Sequence, residues 1–202
     1  MLSNSPDQLF WALRWTVRDV LTLVATAFVF GIVYYLWGWA MRGLSGMLGE
    51  VIAGLFYGVW FWAGLLLAYA IRKPGAALLG EFGPALVAFA LGSPLGALML
   101  VLGWVQGLAL EVVFAWARFQ NWSLMTMVVA GAMGGTASFA VNLLAPPSPV
   151  PFYSAGVVIA MFCLAIISGA ILGGLVCKIL GDRLLAIPAA RQFLGTQPAS
   201  QG

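Results

Sequence analysis

Long apolar runs, interrupted at short polar or Pro/Gly-containing joints, set the pattern of this 202-residue chain. A helix that crosses a bilayer needs about 20 apolar residues, within roughly 17–25. Residues 21–39 make the first such run, with Arg18 and Asp19 before it and Arg42 after. Residues 51–71 make the second, closed by Arg72-Lys73-Pro74-Gly75. The third, 75–91, is short and carries Glu81; Gly92-Ser93-Pro94 ends it, because proline disfavours helix at the residue before it. Residues 95–117 form a fourth, interrupted only by Glu111 and stopped at Arg118. No charge occurs from Phe119 to Cys177, a stretch too long for one crossing. The proline-rich segment Pro146-Pro147-Ser148-Pro149-Val150-Pro151 divides it into 123–145 and 152–177. The pattern predicts an all-α integral membrane protein, one domain of six crossing helices over residues 1–187. Residues 188–202 are small and polar and read as a loose cytoplasmic tail.

Composition agrees with that class. The chain is 63% hydrophobic and 7% charged, against roughly 25% charged residues in soluble domains. Charge placement adds an orientation. Six crossings with the amino terminus inside put Arg14, Arg18, Arg72, Lys73, Arg118, Lys178, Arg183 and Arg191 on the inner side, and Arg42 alone outside. Cationic residues collect in cytoplasmic loops, so both termini are expected inside. The net charge of +3 then needs no nucleic-acid partner.

Several chemistries are missing. The chain has no histidine, which removes His-based metal sites and His-dependent nucleophile systems. It has no G-x-x-x-x-G-K-[ST] loop for a nucleotide. Cys163 and Cys177 sit about 21 Å apart on one predicted helix and cannot bridge within it. The loops are too short for a soluble domain, so any activity belongs to the bundle or its partners. The reading is a non-enzymatic protein with no cofactor and no metal.

Small residues four apart recur, among them Ala27/Gly31, Gly54/Gly58, Gly131/Gly135 and Gly169/Gly173. In lipid such faces allow close backbone approach. Most suit packing inside the bundle; the first helix, at the periphery, is the better candidate for a partner surface.

Glu81 and Glu111 are costly in a membrane and are expected to face an interior or a cavity. Counted from Lys73 and Arg118, they lie about 12 and 10 Å along their helices, at similar depth. A structural pair would share a proton or cap backbone groups around Pro74 and Gly75. A functional pair would bind a cation or relay protons. Trp104, Gly107 and Glu111 share one helical stripe that would suit a flat, hydrogen-bonding, cationic ligand. Gln106 points elsewhere on that helix, and Ser138 with Asn142 forms a polar i, i+4 pair on the fifth.

Taken together, Tyr57-Gly58-Val59-Trp60-Phe61, Ile71-Arg72-Lys73-Pro74-Gly75-Ala76-Ala77 with Glu81, Leu91-Gly92-Ser93-Pro94 with Gly96, and Gln106-Gly107 with Glu111 carry a resemblance. In this order they resemble the YkoE-type S components of energy-coupling factor (ECF) transporters, over approximately residues 50–145. The resemblance implies a six-helix binding protein of the prokaryotic cell membrane that takes up thiamine or its hydroxymethylpyrimidine precursor. It also implies a transmembrane scaffold (T) protein and cytoplasmic ATPase subunits as partners, with docking through Ala27 and Gly31. Tyr57, Trp60, Glu81, Gln106 and Glu111 match the family motifs as substrate-binding candidates; Trp104 and Asn142, on the outer half, join them. Three alternatives stay open: an S component for another vitamin, a stand-alone proton-coupled carrier or channel using the two glutamates, and a structural subunit without ligand.

Overall fold

The computed structural model of the chain describes residues 14–144 and 150–194. Helix α1 runs from Val17 to Leu48, 32 residues against the 19 expected from hydropathy. Its start is fixed by a capping box: the Asp19 amide donates to Thr16 Oγ1 at 3.3 Å, and the Thr16 amide donates back to the Asp19 carboxylate at 2.6 Å. At 1.5 Å per residue this helix is about 48 Å long, more than the roughly 30 Å hydrocarbon core, so a span of this length tilts or extends past that core.

The second apolar run is not one regular helix. A short turn, α2 (Glu50–Ala53), leads into a 3₁₀ segment (Gly54–Phe61), and only then into α3 (Trp62–Ile71). Tight winding leaves backbone groups without regular α partners, and lipid supplies none. Ser168 provides both: its hydroxyl accepts from the Gly58 amide at 2.9 Å and donates to the Leu55 carbonyl at 2.7 Å. Gly58 permits that approach, since a Cβ there would lie 2.3 Å from the Ser168 carbonyl oxygen.

Helices α4 (Ala76–Ala90), α5 (Leu98–Trp116) and α6 (Leu124–Leu144) lie within two or three residues of their predicted bounds. Gly92, at φ +84°, turns the chain after α4, where a side chain would be strained. After a 3₁₀ turn (Val150–Phe152), the last apolar run comprises α7 (Ala155–Ser168), a π-helical segment (Gly169–Leu175) and α8 (Val176–Ala186). The wider π turn accepts an outside donor: Trp62 Nε1 reaches the Leu172 carbonyl at 2.7 Å. Helix α9 (Pro188–Leu194) is a short helix where the sequence suggested the start of a loose tail. The divider 146–149, Ala145 and residues 195–202 lie outside the described residues.

Among the described residues all regular elements are helical, and five stretches have the length and apolarity to cross a membrane. They are Val17–Met47, Gly54–Ile71, Leu98–Trp116, Leu124–Leu144 and Ala155–Ala186; Ala76–Ala90 is a shorter apolar helix. That short helix is central, packed against α1 on one side, α5 on the other, and α3.

The first-helix motif has a different use from the one expected of it. Gly31 is buried on α4, where a Cβ would meet Val87 at 2.5 Å, and Gly83 of α4 packs on Ala27. These two residues form the α1–α4 seam, so they present no free docking stripe. The outward face of α1 consists instead of large exposed apolar side chains, including Leu21, Val24, Phe28, Ile32 and Leu36.

Candidate functional site

Two helices begin inside the bundle without a side chain of their own to cap them, and each borrows a glutamate. Four amides at a helix start lack intrahelical partners. At α4 the N-cap is Gly75, which has no side chain to offer. Glu111 of α5 supplies both carboxylate oxygens: Gly75 N donates to Oε1 at 2.5 Å, and Ala77 N and Leu78 N donate to Oε2 at 3.1 and 3.3 Å.

At α3 the N-cap is Phe61, again without a capping side chain. Here the Gly64 amide donates to Glu81 Oε1 at 2.6 Å, and the Ala63 amide donates to the Tyr34 hydroxyl at 3.1 Å. Tyr34 donates onward to the Glu81 carboxyl, 3.1 Å from Oε2 and 3.3 Å from Oε1. Glu81 is 1% exposed. A Cβ on Gly64 would lie 2.6 Å from Glu81 Cγ, so the glycine admits the acid.

The remaining sequence candidates fall into separate groups. Gln106 and Asn142 meet on one residue: Gln106 Nε2 donates to Ser138 Oγ at 2.7 Å, and Asn142 Nδ2 to the Ser138 carbonyl at 2.9 Å. Trp104 stands apart, 46% exposed and 5.1 Å from the Phe82 ring. The stripe of Trp104, Gly107 and Glu111 therefore forms no single wall: Gly107 presses on Leu78 and Glu81, and Glu111 turns to the start of α4. Trp60 is 8% exposed, its ring 5.8 Å from that of Tyr34. Tyr57 packs between the main core and a smaller one around Phe139, Val150 and Met161.

Three aromatic residues were missed by sequence reasoning: Tyr34, Trp37 and Phe56. Trp37 lies edge-on to Phe56, ring centroids 6.3 Å apart, where α1 meets the 3₁₀ segment. Its indole N–H is buried and finds no partner, the one such side-chain atom among the described residues. Buried polar groups are normally satisfied, and an orphaned donor costs about 1–3 kcal/mol. A mid-span Tyr34 was a visible signal, because a hydroxyl in lipid requires a partner. For Trp37 the sequence offered only a place near a span end, where indoles are common.

Four basic residues, Arg14, Arg72, Lys73 and Lys178, take part in contacts around the start of α1 and the end of α3. Lys73 pairs with Asp19 at 2.7 Å and donates to the Arg14 carbonyl, while Trp15 Nε1 donates to the Pro74 carbonyl. Nearby, Lys178 pairs with Asp182 and donates to the Tyr69 hydroxyl, and the Arg72 guanidinium lies over the Tyr69 ring.

Comparison with known proteins gives this arrangement a class. Residues 18–137 match the family described as ABC-type cobalt transport system, permease component. The chain is 39% identical over 170 residues, 84% of each sequence, to YkoE of Bacillus subtilis (strain 168), whose name assigns it as a candidate HMP/thiamine permease. A crystal structure of an S-component of an ECF transporter superposes with a TM-score of 0.84 at 36% identity, covering 89% of this chain and 90% of that one. Fold and likeness together define a multi-pass membrane transport subunit of the binding kind. The chain belongs to this permease family and is an ECF-transporter S component.

Proposed function

We propose that this S component binds thiamine or its hydroxymethylpyrimidine precursor in the membrane, for uptake energised by ATP hydrolysis in partner subunits. The observation that carries the reading is the unpartnered indole N–H of Trp37, buried beside Phe56. An aminopyrimidine offers ring-nitrogen acceptors in the plane of a flat aromatic face. It would satisfy the indole and stack on the rings around it. The thiazolium of thiamine adds a cation suited to further aromatic faces. The name of the Bacillus relative points to the same pair of compounds.

On this reading Trp37, Phe56, Tyr57 and Trp60 form the ligand side. Gln106, Ser138 and Asn142 form a polar patch that stiffens the neighbouring helices. Glu111 has its oxygens engaged by backbone amides, and Glu81 by the Gly64 amide and the Tyr34 hydroxyl. Trp104 meets lipid. The reading takes six crossings, with α4 as a short third and both termini inside, so that Trp37 would lie towards the outer face and the Lys73–Asp19 contact at the inner one. Docking to the scaffold protein uses the large apolar side chains on the outward face of α1.

Calorimetry on the purified chain, without ATP, tests this directly. Thiamine or hydroxymethylpyrimidine should bind, and Trp37→Phe should weaken binding tenfold or more, a loss of about 1.4 kcal/mol or greater. Wild-type protein that evolves no heat with either compound refutes the proposal. Mass spectrometry of ligand retained through purification would distinguish another vitamin from these two.

A further inference from the structure

The Tyr34–Glu81 pair lies between the two halves of the second apolar run, and nothing in its geometry leaves it free to touch a ligand. Both Glu81 oxygens accept protein donors, and the side chain is enclosed. The Tyr34 hydroxyl accepts from Ala63 and donates to Glu81. What the pair does hold is a junction. Residues 54–61 wind as a 3₁₀ segment, and regular α-helix starts at Trp62. In the first turn after that change, the amides of Ala63 and Gly64 are received by Tyr34 and Glu81.

Tyr34 also works from its other end. Its ring sits between Phe30, 6.1 Å away, and Trp60, 5.8 Å away. One side chain thus meets both the start of the α-helix and the Trp60 ring of the 3₁₀ segment. Phe56 and Tyr57 belong to that same segment, and Phe56 faces Trp37. Moving the junction by one residue would exchange one 3₁₀ step of about 120° and 2.0 Å for an α step of about 100° and 1.5 Å, turning the rings upstream by about 20° and shifting them by about 0.5 Å relative to Trp37.

We propose that Tyr34 and Glu81 are positioning residues for the binding site: by capping the start of α3 they set the register at which the 3₁₀ segment presents Phe56, Tyr57 and Trp60. This rests on the vitamin-binding reading above. It assigns the buried acid a role without contact to substrate or movement of protons.

The test compares two cap mutants that remove similar bonds in different places. Tyr34→Phe deletes one hydroxyl and keeps the ring; Glu111→Gln weakens the cap of α4, away from the aromatic residues. Expected for Tyr34→Phe is a tenfold or greater rise in the dissociation constant for thiamine or hydroxymethylpyrimidine. Hydrogen exchange should accelerate across residues 54–66, with altered tryptophan emission. Glu111→Gln should lower thermal stability by a comparable amount with affinity within twofold of wild type. Should Tyr34→Phe fold poorly, Glu81→Ala, which removes the acceptor of both the Gly64 amide and the Tyr34 hydroxyl, takes its place. A mutant of this pair with wild-type affinity overturns the inference alone, as does an equal affinity loss in Glu111→Gln, which would mark the effect as general destabilisation. Wild-type protein that binds neither compound overturns the preceding section's reading, and this inference with it.

Discussion

Glu111 engages three amides at the start of α4 with its two oxygens, and its removal leaves those part-buried donors without that acceptor. An unsatisfied buried donor costs about 1–3 kcal/mol. Glu111→Ala should therefore lower stability by about that much, while Glu111→Gln, which keeps one carbonyl acceptor, should lose less. Thermal unfolding in detergent, followed by size-exclusion recovery, would rank the two. Gly64→Ala should be worse than its single methyl suggests, about 1–3 kcal/mol, because the new Cβ displaces Glu81 from the amide it caps. Sequence reading reached part of this. It placed both acids at one depth and named capping around Pro74 and Gly75 as one option. It could not find the partners of Glu81, since Gly64 is 17 residues away and Tyr34 is 47. Hydropathy carries no record of which spans face each other.

Among the elements, glycines divide sharply by what surrounds them. A Cβ on Gly131 would sit 2.1 Å from the Gly169 carbonyl oxygen, and one on Gly135 2.1 Å from that of Ala165. Both obstacles are backbone, which cannot swing aside. Gly131→Ala or Gly135→Ala should part α6 from the π segment and α7, and abolish recovery of monodisperse protein. Gly43 and Gly46 of α1 meet nothing within 4 Å. Gly43→Ala should instead be neutral or raise stability by up to about 1 kcal/mol, through helix propensity alone. Melting curves of the set would check the contrast. The small-xxx-small pattern was legible in the chain, and so was its general use in packing. Which faces pair was not: Ala27 and Gly31 looked outward by sequence and turn inward onto α4. The 3₁₀ and π segments were invisible for a related reason. Both keep the apolar composition of a regular span, and only the backbone groups they free, met by Ser168 and Trp62, distinguish them.

Across the whole molecule, the positive charges supplied the strongest topological signal, and several of their carriers do meet at one end. Arg14, Lys73 and Asp19 join the start of α1 to the turn before α4, and Arg72 with Lys178 and Asp182 joins α3 to α8. The proposed six crossings would put Met47 at the far end of α1 and Gln120 in the turn after α5 on opposite sides of the membrane. In a Cys163→Ala background, Met47→Cys in whole cells should react with a membrane-impermeant maleimide, and Gln120→Cys only after permeabilisation. The reverse pattern would invert the bundle, and equal labelling would change the number of crossings.

Ser168 completes the 3₁₀ segment from 110 residues downstream of Gly58 and 113 downstream of Leu55. A ribosome adding residues from the amino terminus thus delivers the second apolar run long before the hydroxyl that closes its open backbone groups. Until α7 emerges, that segment must stay near the translocon, bind water, or wind as an ordinary helix and tighten later. Maturation of the aromatic end therefore waits on the last third of the chain, and a nascent protein halted before Ser168 would be inserted yet unfinished.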